Sequence, residues 1–237
     1  MPIADQREKV FARIREALRQ PAPHPHIGPG HEDETHPASE HGLATSEEFR
    51  AWLPAVGPSL DEQIELFALL GAALKAEFVQ AATPNDAASH LATLARENNW
   101  KRVATHRNPL ASGFAEKLNL PSLFTDSGYA IADLESCDVA ITSCDALVAQ
   151  TGSVLVTTAS AGGRALSVLP PHHIVVAQRS QMVPDLTTAL QLARKTYAPN
   201  WPSFLSFITG PSRTGDIERI LVLGAHGPKK LTILLLP

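Results

Sequence analysis

From Arg102 onward, short apolar segments alternate with stretches of helical periodicity, and this alternation limits the fold more than any other feature of the chain. The apolar segments fall at 102–104, 122–125, 138–142, 154–157, 173–177, 204–208 and 231–236. Each is too short for an ordinary helix, and most are rich in Val, Ile and Leu, which suits a strand buried on both faces. Helical patterns lie between several of them, at 109–118, 163–166 and 183–196. Apolar strands separated by helices predict an α/β fold: a largely parallel sheet with helices on both faces.

Upstream of the alternation the chain reads as helical. Residues 59–79 predict a helix whose buried face is Ile64, Leu66, Phe67, Leu70 and Leu74, and 47–53 predict a shorter one. Thr83-Pro84-Asn85-Asp86 opens another, running to about Glu97, with Pro84 suited to the first turn. The folded body is expected from about Thr45, so that 45–237 forms one α/β domain. With 44% apolar residues in 237, the chain can bury one medium-sized core. Residues 3–20 predict an amphipathic helix capped by Asp5, with Val10, Phe11, Ile14, Ala17 and Leu18 on one side and Arg7, Arg13, Arg15 and Arg19 on the rest. Such a helix packs on its own domain, on a twin subunit in a homo-oligomer, or on a different protein. Residues 21–42 hold five prolines, three glycines and five histidines with almost no aliphatic residues. That composition cannot bury enough surface to order itself, and 1–44 is expected to be a helix followed by a flexible linker.

Charge and cysteine content narrow the function. A net charge of −4, with no basic stripe interleaved with aromatics, gives no support to nucleic-acid binding. No apolar run approaches the roughly 20 residues of a membrane span, and the mixed charges of Asp5, Arg7, Glu8 and Lys9 do not suit a signal peptide, so a cytoplasmic location is expected. Cys137 and Cys144 have neither a disulfide pattern nor a metal spacing, and iron–sulfur clusters usually take four thiolates. No flavin or nicotinamide fingerprint is present, so the chain is expected to bring no cofactor and no metal of its own.

The densest polar segment follows the apolar run 204–208. There Thr209-Gly210-Pro211-Ser212-Arg213-Thr214-Gly215-Asp216-Ile217-Glu218 crowds hydroxyls, a guanidinium and two carboxylates into one corner. Gly210 permits angles closed to other residues, Pro211 removes a donor, and the Arg213 fork suits a carboxylate or phosphate. Ligand contact is therefore expected at Gly210, Ser212, Arg213, Thr214, Asp216 and Glu218, with His226 a candidate acid or base among turn glycines. Arg213 bracing the turn through Asp216 or Glu218 is the competing account. A second glycine turn, Gln150-Thr151-Gly152-Ser153, reads equally as a tight hairpin or a binding loop, which adds Thr151, Gly152 and Ser153. Ligands of open α/β sheets sit beyond the carboxyl ends of strands. Ser143 and Asp145, then Thr158, Ser160, Gly162, Gly163 and Arg164, then Gln178, Arg179 and Ser180 follow strands in that way. The spacing specifies no catalytic triad, and no catalytic residue is assigned.

The segments Val148-Ala149-Gln150-Thr151-Gly152-Ser153, Ile208 to Glu218, and Leu223-Gly224-Ala225-His226-Gly227-Pro228, in that order, resemble the lactate-utilization protein C family, built on the LUD domain. The resemblance covers about 138–236. It implies a fold similar to sugar-phosphate isomerases and coenzyme A transferases. It also implies a role in oxidising L-lactate to pyruvate beside two partner proteins that hold iron–sulfur clusters. The family often carries an acid where this chain has Gln150. Since side chains alone cannot accept a hydride, a partner is expected to hold the redox centre. A stand-alone transferase or isomerase acting on a phosphorylated or coenzyme A-linked substrate, through Arg164, Arg213 and Lys229, is the alternative.

Overall fold

A computed structural model describes residues 11–13, 15, 16, 19 and 53–237 without 218, 219, 224 and 225, and over 214–225 it describes the backbone alone. The chain divides into two compact units, 1–49 and 50–237. In the first, residues 11–13 and 15–16 are helical, within the helix expected over 3–20. The linker over 21–42, the helix over 47–52 and the boundary near Thr45 lie outside the described residues.

The second unit opens with helix α1 (Leu60–Ala73), started by a capping box in which Ser59 and Glu62 satisfy each other's backbone N–H. Strand β1 (Glu77–Gln80) follows, then α2 (Pro84–Glu97), where Thr83 and Asp86 repeat the capping box and Pro84 occupies the first turn. Strand β2 (Val103–Thr105), helix α3 (Pro109–Lys117), strand β3 (Ser122–Phe124), helix α4 (Ile131–Glu135) and strand β4 (Val139–Thr142) continue the alternation. Next come β5 (Ala146–Val148), β6 (Ser153–Thr157), β7 (His172–Gln178), β8 (Met182–Val183) and helix α5 (Leu186–Tyr197). Strands β9 (Leu205–Ile208), β10 (Arg213–Ile217), β11 (Ile220–Leu223) and β12 (Lys230–Leu236) complete the order.

Six strands form one sheet in the order β1-β12-β7-β4-β2-β3, and every neighbouring pair is parallel. Its central strands are buried along nearly their whole length, as their Val-, Ile- and Leu-rich sequences require. One face packs Ile174, Val176, Leu234, Val139 and Ile141 against Leu91 of α2 and Phe114 of α3. The other packs Val175, Ala177, Ile233 and Leu235 against Ile64 and Phe67 of α1 and against Leu147, Val154 and Val156. Each such aliphatic side chain contributes roughly 1.5–3 kcal/mol when fully buried.

Those last three residues belong to a second sheet, in the order β8-β5-β6-β9. The segments expected at 154–157 and 204–208 are strands, but they pair antiparallel with each other here and do not enter the parallel sheet. The short strand β5 turns antiparallel onto β6, and α5 covers the outer side through Ala189 and Ala193. Three further expectations need correction. The helix expected over 59–79 ends at Ala73, after which Lys75 takes φ +68° and β1 begins. Residues 163–166 form turns and bends, because Gly162 and Gly163 both adopt positive φ. The 210–218 turn contains a strand, β10, which pairs antiparallel with β11.

Two glycines clasp the end of α1. Gly152 (φ +61°) follows the 3-10 turn between β5 and β6, and a Cβ there would lie 3.0 Å from both Gly71 N and Leu70 Cβ. Gly210 (φ +89°) follows β9, and a Cβ there would lie 2.8 Å from Leu74 O. We predict that Gly210→Ala lowers stability in urea by about 1–3 kcal/mol, combining a strained φ with loss of this close approach; an unchanged midpoint would show that the contact is dispensable.

Adjacent imidazoles lie inside the parallel sheet. His173 meets Thr142 Oγ1 at 2.8 Å, and His172 Nε2 meets Thr232 Oγ1 at 2.9 Å. Thr232 donates its proton to Glu77 Oε2 at 2.8 Å, so its hydroxyl accepts from the His172 ring. Burial first, then the Lys230 charge, lowers His172 to about 4; burial and its neighbour lower His173 to about 3. Both rings are neutral in the fold, whereas in the unfolded chain they take up protons near the ordinary value of about 6.5. Their contribution is intact above that pH and is lost as pH falls toward 4, by up to ~1.4 kcal/mol per pH unit for each ring. Urea midpoints between pH 7 and 4 should fall accordingly, with a shallower slope in His172→Asn.

Candidate functional site

The parallel sheet has one point at which the chain reverses its direction of growth. From β2 it moves outward to β3, then returns across β2 to β4, so β2 and β4 are neighbours whose following loops leave in opposite directions. Such switch points leave a crevice beyond the carboxyl ends of the strands. Here the crevice is a cleft of about 610 Å³, lined among others by Asn108 and Pro109 after β2, Ser143 and Cys144 after β4, Ser160, Gln178 and Tyr197.

Its wall is a hydrogen-bonded network drawn from three segments. Asp145 accepts from the Tyr197 hydroxyl at the end of α5, and from Ser160 Oγ at 2.5 Å in the loop after β6. Ser160 Oγ accepts in turn from Thr157 N at 2.9 Å, and Thr157 Oγ1 lies 3.1 Å from the Tyr197 hydroxyl. Ser143 Oγ donates to the Ser160 carbonyl at 2.8 Å. Burial first, and then the bond to Asp145, raise the Tyr197 phenol above its usual range. Cys144 is buried, and burial together with the Asp145 charge pushes its thiol far above the usual range, which disfavours the thiolate. His106, directly after β2, is 3% exposed. Burial lowers its pKa, against the opposing pull of Asp126 and of a hydrogen bond to the Ser160 backbone. Gly162 is pressed against the His106 side chain so closely that a Cβ there would overlap it.

Several residues that follow strands in the sequence therefore do converge: Ser143, Asp145, Ser160 and Gln178 share this corner. Arg164 and Arg179 are held elsewhere, Arg164 on the Ser203 carbonyl at 2.8 Å and Arg179 in an ion pair with Asp61. Sequence reasoning missed His106, Asn108, Gln181 and Tyr197. The first two follow a strand and were open to the same rule. Tyr197 reaches the cleft from the far end of a helix, which leaves no local signal.

The glycine-turn residues gather in a different place. Ser153 is buried and its Oγ lies 2.8 Å from Thr209 Oγ1, joining the 150–153 turn to the start of the 209–218 segment. Thr151 Oγ1 is buried without a hydrogen-bond partner among the described residues. The 150–153 turn is a hairpin between β5 and β6, and its Gly152, like Gly210, sits against α1. Gln150 Nε2 donates to the Pro54 carbonyl at 3.1 Å, a bond that an ionised acid at this position could not make. Ser212 N donates to the Pro228 carbonyl at 2.9 Å, bringing the two outer motifs together. Arg213 and His226 are exposed. The side chains of Thr214 and Asp216, and the whole of Glu218, lie outside the described residues. Because β9 belongs to the second sheet, this corner is not at the carboxyl edge of the parallel one.

It adjoins a cleft at the opposite edge. Leu74, against which Gly210 packs, precedes Lys75, and Pro228, which meets Ser212, precedes Lys229. Lys75, Lys229 and Lys230 line a cleft of about 470 Å³ with Glu77, Glu97, Asn98, His172 and Thr232, where β1, β7 and β12 begin. Among the described residues no group of three or more His, Cys, Asp or Glu is arranged to hold a metal ion, and no helix is long and apolar enough to cross a membrane.

Comparison with known proteins agrees with this architecture. A crystal structure of a DUF162 family protein from Deinococcus radiodurans superposes with a TM-score of 0.58 at 18% identity, covering 76% of this chain and all of that one, which establishes a shared fold. Lactate utilization protein C of Shouchella clausii is 39% identical over 106 residues, 44% of this chain and 46% of that protein. Its namesake in Bacillus subtilis is 36% identical over 107 residues, 44% of this chain and 45% of that protein. The chain thus spans about half the length of the curated relatives it matches. The family model for the LUD domain matches residues 64–236, nearly the whole of the described α/β body, and the chain belongs to the LUD domain family.

Proposed function

We propose that this chain works in lactate utilization as a non-redox subunit of a system that oxidises L-lactate to pyruvate, beside partner proteins that hold iron–sulfur clusters, in the cytoplasm. The observation that carries the reading is the LUD domain match together with relatives named lactate utilization protein C at 36–39% identity. Chemistry supports the division of labour. Removing two electrons from a hydroxy acid needs an acceptor, which side chains do not supply. The two cysteines of the chain are both buried, and clusters usually take four thiolates.

The 210–218 corner then serves as the docking place of a small anion or of a partner. Supporting this, the exposed Arg213 stands near the end of the segment that packs on α1, and Lys75 and Lys229 each lie one residue beyond a contact of that segment. Lysines presented from separate segments offer point charges to a carboxylate, and Glu77 and Glu97 in the same cleft oppose them in part.

Deletion of the gene is expected to abolish growth on L-lactate while leaving growth on pyruvate intact, and the tagged chain should retain two cluster-bearing proteins in a pull-down. Normal growth on L-lactate, in a genome without a second copy, would remove this reading.

A further inference from the structure

Each hydroxyl around the switch-point cleft has one proton to give, and the structure shows where each goes. Ser143 gives its proton to the Ser160 carbonyl, and Ser160 and Tyr197 give theirs to the two oxygens of Asp145. Gln181 Nε2 donates to the Cys144 carbonyl at 2.5 Å, and its Oε1 accepts from Gln178 N at 2.7 Å. Asn108 Oδ1 is taken by the N–H groups of Leu110 and Ala111 at the start of α3, at 3.0 and 3.2 Å. The His106 ring, bonded to the Ser160 backbone, lies behind the wall and does not line the cleft. Its Nε2 is buried with no partner among the described residues.

What the hydroxyls still offer is therefore lone pairs, beside the N–H groups of Asn108 Nδ2, since only the oxygen of that amide is engaged. No lysine or arginine lines this cleft, and the Asp145 carboxylate stands behind it. A phosphate or carboxylate would bring more acceptors and more negative charge to a wall already rich in both, and would lose the water that hydrates it. A molecule bearing hydroxyl groups gives protons to the hydroxyl oxygens and accepts from the Asn108 amide. We propose that the cleft at the β2/β4 switch point binds a small uncharged polyol, whose hydroxyls donate to Ser143 Oγ and the Tyr197 oxygen and accept from Asn108 Nδ2. A cleft of about 610 Å³ has room for such a molecule. The ligand class is independent of the lactate reading, because it concerns the carboxyl edge of the sheet and not the lysine-lined edge.

The full chain is titrated with myo-inositol, D-sorbitol and D-xylose by calorimetry and by thermal unfolding. At least one should bind saturably and raise the melting temperature. Ser143→Ala and Tyr197→Phe, each first checked for a native circular dichroism spectrum, should weaken that binding about tenfold, the effect of losing one hydrogen bond. Excess inorganic phosphate or L-lactate should leave the polyol titration unchanged. Absence of binding by all three polyols, undiminished binding in the folded variants, or displacement by phosphate or L-lactate would each overturn the proposal. None of these results bears on growth with L-lactate.

Discussion

The central strands β7 and β12 carry Val, Ile and Leu on both faces, and the rest of the architecture follows from keeping those side chains dry. A parallel sheet cannot expose a face to water without leaving its Val, Ile and Leu side chains unburied. Helices α2 and α3 close one side through Leu91 and Phe114. The other side is closed by α1 together with a second sheet, so a sheet takes the place that a crossover helix would fill in a simple doubly wound fold. This substitution shapes function as well as packing. The loop that leaves β4 for the second sheet carries Ser143, Cys144 and Asp145, the residues from which the switch-point cleft is built.

The parallel sheet was legible in the sequence because its signal is local. Five of its six strands, all but β1, are short apolar runs, and the starts of α2 and α3 are marked by Thr83-Pro84 and Asn108-Pro109. Pairing was not legible in the same way. Segments 154–157 and 204–208 are as apolar as β4 or β7, and nothing within them reveals that they pair with each other. Strand β1 was hidden inside an apparent helix, because Phe78 and Val79 extend the helical spacing of α1, and the break depends on Lys75 adopting a left-handed conformation. The short strands β8 and β10 lack an apolar run that stands clear of its surroundings, whereas β5 and β11 carry one and were open to the same reading.

For the site, the rule that ligands gather after strands found Ser143, Asp145, Ser160 and Gln178 correctly as neighbours. It assigned the same meaning to the 210–218 corner, which follows a strand of the other sheet. Glycine turns are ambiguous for a physical reason. The positive φ that lets a backbone approach a ligand also lets it approach a helix, and Gly152 and Gly210 both meet α1. The molecule carries clefts at opposite edges of one sheet, one lined by lysines with two glutamates, the other by amides and by hydroxyls whose protons turn inward.

The clasp on α1 also bears on how such a chain can change over generations. Leu70, Gly71 and Leu74 meet two turns that are 58 residues apart in sequence, at Gly152 and Gly210. A side chain at Gly152 or Gly210 obliges the helix end to yield, so the two turns and the residues they meet form a group that must drift together. Across homologous chains, the correlated replacements that mark this group would run from the helix end to both turns, whatever small molecule those turns have come to serve.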